Sequence, residues 1–177
     1  MIICGGQVEF SPSYTSKRYL TNDVGGIKEY MDPNNPVVRL CLEGMEAEAK
    51  GKFEDARRLF ERAWSVCQDD YDACMAAHFL ARHQDSPKAT FDWNQEALNR
   101  ANAVGDDRVL GFYSSLYLNL GHSYETLGVL AEARRHYQMA ADRLDDLPEG
   151  PYKDMTRNGI ARGFKRTESD EGEPEGA

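Results

Sequence analysis

The sequence predicts an all-α protein built from stacked helical hairpins, and three observations carry that prediction. The stretch "GKFEDARRLFERA" at residues 51–63 returns in altered form as "GVLAEARRHYQMA" at residues 128–140, with five of thirteen positions identical. From Pro36 onward, small and apolar residues recur at steps of three and four, the spacing of one helix face. Glycines and side-chain caps punctuate that pattern at intervals suited to short interhelical turns.

Each element follows from its own residues. Residues 1–36 hold Gly5-Gly6, Gly25-Gly26, Pro12, Pro33 and Pro36, with only "QVEF" alternating as a strand would, which predicts a flexible arm over 1–35. Met31 within it offers an alternative start. At "NNPVVRL", Asn35 can accept from free backbone N–H groups and Pro36 suits the first helical position, so the first helix opens there. Leu40, Gly44 and Ala47 share one face of it. Gly51 turns the chain into a second helix carrying Phe53, Ala56, Phe60, Ala63 and Trp64. A third helix spans "DYDACMAAHFLARH", with Ala73, Ala76, Ala77 and Leu80 on one face. Ser86 and Pro87 open a fourth, which carries Trp93, Ala97 and Ala101 and ends at Gly105. Asp106 and Asp107 place acceptors and negative charge at the start of the fifth helix. Gly128 turns it into the sixth, "EARRHYQMAADRL". Gly150-Pro151 opens a seventh whose Tyr152, Met155, Ile160 and Phe164 are spaced to cover the exposed face of the sixth. The helical domain is thus expected over 36–166 and a disordered acidic tail over 167–177.

A helix pair of about 34 residues cannot bury its apolar face alone, whereas stacked pairs share one continuous core. At Leu40, Gly44, Gly51, Ala56, Phe60 and Ala63 the first unit resembles the tetratricopeptide repeat (TPR) family, with Ala47 where an aromatic is usual. The third unit resembles it throughout, at Tyr117, Leu120, Gly121, Tyr124, Gly128, Ala133, Tyr137 and Ala140. In the middle unit only Ala77, Leu80, Ala89 and Trp93 fit, and the proline usual at the end of each unit is missing. The resemblance covers residues 37–147, and the "AVGDDR" junction before a lengthened helix resembles the extended-repeat branch. It implies a right-handed superhelical stack of about three helix–turn–helix units plus a C-terminal capping helix.

Composition narrows the function. The 177 residues are 41% hydrophobic and 29% charged, ordinary for a globular chain. Of the net charge of −9, five negative charges sit at Glu168, Asp170, Glu171, Glu173 and Glu175. That balance disfavours a nucleic-acid backbone as partner. No apolar run is long enough to span a membrane and the N-terminus lacks the regions of a secretory signal, so a cytoplasmic location is expected. Cys4, Cys41, Cys67 and Cys74 then read as free thiols.

No motif demands chemistry. Cys74 and His78 lie one helical turn apart, with His83 beyond, but two ligands do not make a metal site. "ICGGQ" lacks the strand, helix and lysine of a phosphate loop. Ser114, Ser115 and Ser123 have no nucleophile elbow. Glu43, Glu46, Glu48, Glu54 and Asp55 alternate with Lys50, Lys52, Arg57 and Arg58 as on a solvated face. No cofactor is expected.

What remains is a surface. The resemblance implies that the first helix of each pair lines a concave groove, placing Cys41, Met45, Glu48, His78, Arg82, Leu118, His122 and Glu125 on it. The expected function is a non-enzymatic scaffold or adaptor that binds a peptide or helix of a protein partner. Relatives that clamp a C-terminal carboxylate use Lys, Asn and Arg at such positions; here only Arg82 and Asn119 would serve. The rival reading is an enzyme, or a regulatory subunit of one, with a site built from His78, Arg82, His122 and Glu125. Self-association through the seventh helix is a third.

Overall fold

A computed structural model describes residue 32 and residues 34–168. Most of the expected arm over 1–35 and the tail from 169 onward lie outside the described residues. Within them the protein is all-α: α1 (Pro36–Ala49), α2 (Phe53–Ser65), α3 (Asp70–Leu80), α4 (Pro87–Val104), α5 (Leu110–Thr126), α6 (Leu130–Asp142) and α7 (Pro151–Glu168), with no strand among the described residues.

The helix starts are built from the residues that announced them. The Asn35 side chain accepts from the Val37 and Val38 N–H groups, and Pro36 takes the first helical position. Ser86 accepts from the Ala89 N–H in front of Pro87. Asp106 accepts from the Arg108 N–H, but a 3₁₀ turn over Asp107–Val109 precedes α5, so the fifth helix begins later than the sequence suggests. Gly51 and Gly128 close the α1–α2 and α5–α6 turns at φ of 73° and 77°, where an L side chain is strained.

α1 packs on α2, α3 on α4 and α5 on α6, and each pair also contacts the next. Inside the first pair, Phe60 of α2 lies against Gly44 of α1. A Cβ placed on Gly44 would stand 2.3 Å from the ring. The third pair repeats this contact 77 positions on, with Tyr137 of α6 against Gly121 of α5; there the added carbon would stand 2.6 Å away. Both rings are fully buried, as are Ala56, Ala63, Ala133 and Ala140 beside them. Burying such a ring contributes about 1.5–3 kcal/mol, a gain available only because the facing helix offers no side chain.

Each of these rings also receives the helix that follows its pair. Phe79 of α3 stacks on Phe60 with centroids 5.1 Å apart. In the third unit Gly163 of α7 lies directly against Tyr137, its missing Cβ 2.5 Å from the ring. α7 therefore packs on both α5 and α6, as α3 packs on both α1 and α2, and does more than cover α6. It also extends to Glu168, so Thr167, assigned to the tail from sequence, is helical and buried; its hydroxyl donates to the Gly163 carbonyl.

The middle pair joins these units through aromatic contacts. Trp93 meets Trp64 edge-on at 5.0 Å, Tyr71 meets Phe112 at 5.9 Å and Phe91 meets Tyr124 at 5.0 Å. A buried hydrogen bond of 2.9 Å from Asn94 to Ser123 ties α4 to α5.

Two glycines on one helix test this packing. Gly121→Ala pushes a carbon into the Tyr137 ring and is expected to destabilise by about 1–3 kcal/mol. For a domain of this size that lowers the melting midpoint by about 2–10 °C. Gly111→Ala, whose added carbon meets nothing nearer than 4.0 Å, leaves the midpoint unchanged or raises it. Thermal melts followed by circular dichroism compare the two.

Candidate functional site

The eight residues assigned to the groove fall into three groups. Cys41 belongs to the core: it is 1% exposed, and burial drives its thiol far above the usual range. It presents no surface to a partner. The helix spacing that puts Cys41 beside Met45 cannot distinguish the lip of a face from its buried edge.

Three more are engaged inside the molecule. Glu48 at the end of α1 accepts from Arg82 Nη2 at 2.7 Å and pairs with His83 Nε2 at 2.7 Å. Burial pushes the Glu48 carboxyl upward, but the bonds from His83 and Arg82 outweigh it and hold the group below its usual range. The Arg82 guanidinium in turn lies over the Phe79 ring at 4.8 Å and the Phe60 ring at 6.0 Å, so the charged head of this ion pair also covers the Phe60–Phe79 stack. Glu125, the counterpart of Glu48 in the third unit, accepts from Arg166 Nε at 2.5 Å and Nη2 at 2.9 Å and also from the Tyr137 hydroxyl. Burial again pushes it upward and these partners again prevail, lowering its titration. The two carboxylates thus do one job: each ties a helix pair to the helix that follows it.

The remaining four keep accessible surface. Met45 is half-buried against the core. Leu118 is half-buried too, with a methyl 2.9 Å from where a Gly159 Cβ would stand, so α7 covers part of it. His122 is exposed, its Nδ1 3.8 Å from Glu125. His78 faces Asn119, with Nδ1 and Nδ2 3.5 Å apart. Burial, reinforced by the Arg82 charge, pushes its imidazole down to about 3, so between pH 5 and 8 it is a neutral hydrogen-bonding group.

His78, Arg82, His122 and Glu125 do not assemble. Arg82 serves Glu48, Glu125 serves Arg166 and Tyr137, and among the described residues no hydrogen bond or ion pair joins His78 to His122 or Glu125. Also among the described residues, no group of three or more His, Cys, Asp or Glu side chains is placed to hold a metal ion. The Cys74 thiol that sequence spacing pairs with His78 is fully buried and pushed up to about 12 by that burial. No described helix is long and apolar enough to cross a membrane.

A depression of about 410 Å³ opens elsewhere, beside the α4–α5 turn, lined by Asn102, Asp107, Tyr113, Tyr117 and Arg143 among others. None of the eight groove residues lines it. Its cation is already in use: Arg143 lies over the Tyr113 ring at 5.0 Å and pairs with Asp146 at 2.9 Å.

Sequence reasoning missed the pairing of His83 with Glu48 and of Arg166 and the Tyr137 hydroxyl with Glu125. A signal was present, since Glu48 and Glu125 occupy equivalent positions in the two copies of the repeat, and a carboxylate kept at the same place twice asks for a partner each time. Comparison with known protein families, with curated proteins and with solved structures finds no match to this chain.

The two carboxylates make stability depend on acid. Their folded pKa values lie below the unfolded value of about 4.3, so their contribution is complete above that pH and is lost as pH falls through the folded values. The melting midpoint is expected to drop on acidification from pH 5 to pH 3. Replacing Glu125 with Gln should lower the midpoint at pH 7 and flatten that drop, which melts across the pH series would record.

Proposed function

We infer that this protein is a TPR-like scaffold: a right-handed superhelical stack of about three helix–turn–helix units, closed by α7, that binds an extended segment of a partner protein along its concave face. The observation that carries this reading is the recurrence of one whole arrangement. Glycine against an aromatic ring inside the pair, and a carboxylate to an arginine on or just past the next helix, occur in the first unit as Gly44, Phe60, Glu48 and Arg82, the last in the 3₁₀ turn Ala81–His83 that follows α3, and in the third as Gly121, Tyr137, Glu125 and Arg166 on α7. A unit that repeats both its internal contact and its link to the next helix builds a stack, and stacks expose one long face lined by their first helices.

On that face the accessible groups are Met45, His78, Leu118, Asn119 and His122. His78 and Asn119 are uncharged polar groups side by side on α3 and α5, suited to the amide groups of an extended chain; Met45 and Leu118 offer apolar contact beside them. The ligand this favours is a segment of modest charge read through its backbone, held without covalent chemistry. An enzymatic site has less support, because two of the four residues that would form it, Arg82 and Glu125, are held in separate ion pairs with Glu48 and Arg166. Self-association through α7 also has less support, since its outward positions Arg157, Asn158, Arg162 and Lys165 are polar and exposed.

The test spares the residues that hold the stack. Asn119→Ala with His122→Ala introduces the best helix former at two accessible positions and should leave the far-ultraviolet circular dichroism signal unchanged. Once a partner has been isolated with the tagged chain, titrating it onto both proteins is expected to show at least tenfold weaker binding by the variant, about 1.4 kcal/mol. Equal affinity of folded variant and parent would move the binding surface off the concave face.

A further inference from the structure

We propose that the depression beside the α4–α5 turn is a binding site for a small organic cation, an ammonium group carried on a compact apolar body. None of the residues assigned to the concave face lines it, so this reading stands independently of the scaffold one. α4 and α6 both pack on α5 and hardly touch each other, which leaves a channel between them with α5 as its floor. Rings cross this channel at one end, from Phe91 of α4 to Tyr124 of α5 at 5.0 Å and on to His136 of α6 at 4.8 Å. At the other end Asn102 of α4 accepts from the Tyr113 hydroxyl at 3.1 Å, and Arg143, just past α6, lies over the Tyr113 ring. Between these crossings Tyr117 is half-buried, its ring 5.9 Å from that of Tyr113 and 24° from parallel with it. The channel one pair earlier is arranged differently, because there Trp64 of α2 and Trp93 of α4 meet directly. Among the described residues no ring of α4 meets a ring of α6, and the space of about 410 Å³ opens at Tyr113 and Tyr117.

The lining selects the sign of the ligand. Arg143 is satisfied by Asp146 and by the Tyr113 ring, so the depression holds no free cation for an anion. The charge left over is negative: Asp106 is held by Arg108, whereas its neighbour Asp107 is exposed and has no ion-pair partner among the described residues. The Tyr117 hydroxyl likewise has no hydrogen-bond partner among the described residues, and Leu110, exposed at the rim, adds apolar wall. An ammonium ion here sets its charge against Asp107, where the hydrogen bond is charge-assisted, and its body against Tyr117 and Leu110. The size of the depression falls within the range of about 300–1,000 Å³ common to small-molecule sites. Its position excludes a long occupant, since the channel is bounded by the row Phe91, Tyr124 and His136 on one side and by the α4–α5 turn on the other. A compact molecule fits where an extended chain would have to cross one of these.

The experiment titrates the full chain with benzylammonium chloride and, separately, with benzyl alcohol, an uncharged molecule of nearly the same shape, at constant ionic strength. The readout is the Asp107 amide and Tyr117 ring resonances by nuclear magnetic resonance. Benzylammonium is expected to shift both saturably and to bind at least tenfold more tightly than benzyl alcohol. Asp107→Asn, a conservative change at an exposed position that should leave the circular dichroism signal unaltered, is expected to remove that preference. Equal binding of the two probes by the parent, a preference kept by the folded variant, or no saturable shift in the tens of millimolar would each overturn the proposal. So would tighter binding of a short blocked lysine peptide than of benzylammonium, because the depression would then receive a side chain of a partner protein.

Discussion

The structure depends on two close approaches, Phe60 against Gly44 and Tyr137 against Gly121. In each, a ring from the second helix of a pair occupies the volume where the first helix would otherwise carry a side chain. The contact sets how near the two helices come, and the same ring also meets the next helix: Phe79 stacks on Phe60, and Gly163 lies against Tyr137. One aromatic ring per unit therefore fixes both the internal geometry of a hairpin and its junction with its neighbour. Interiors packed at crystal-like density transmit such a constraint, because neither helix can shift without opening a gap or forcing a clash.

The charged links are subordinate to that packing. The Arg82 guanidinium that pairs with Glu48 also lies over Phe79, and Arg166 reaches Glu125 where the Tyr137 hydroxyl also donates. The pairs are partly buried, so each carboxylate would be costly to leave unpaired, and their main effect is to specify which helix follows which pair. This accounts for the division of the proposed concave face. Acidic and basic positions on it hold the stack together, while neutral His78, Asn119 and the exposed His122 remain for a partner.

The local grammar of the fold was legible in the sequence. Asn35-Pro36, Ser86-Pro87, Gly51 and Gly128 signal helix starts and turns through chemistry confined to a few neighbouring residues, and the structure places boundaries there. The duplicated segment, with Gly44 and Gly121 at the same distance from an aromatic, pointed to the core contacts. What could not be read was pairing across distance. Glu48 and Arg82 are 34 residues apart, and Glu125 and Arg166 are 41 apart, so each looks like an ordinary surface charge until the helices are set side by side. The same limit hid the depth of Cys41, which helical spacing places near the groove and packing places in the core. It also hid the end of α7, since Thr167 looks like the start of a polar tail and instead folds its hydroxyl back onto the Gly163 carbonyl.

The dependence of the fold on a ring facing a glycine is most directly measured in the first unit, where the ring has no hydroxyl to complicate the reading. Stability to denaturant is compared for the parent, Gly44→Ala, Phe60→Leu and the combination. If the ring owes its place to the missing side chain, the alanine costs much in the presence of Phe60 and little beside the smaller leucine, giving a coupling of at least about 1 kcal/mol between the two sites. Costs that simply add, within about 0.5 kcal/mol, would contradict the account and show that Gly44 and Phe60 do not set each other's position.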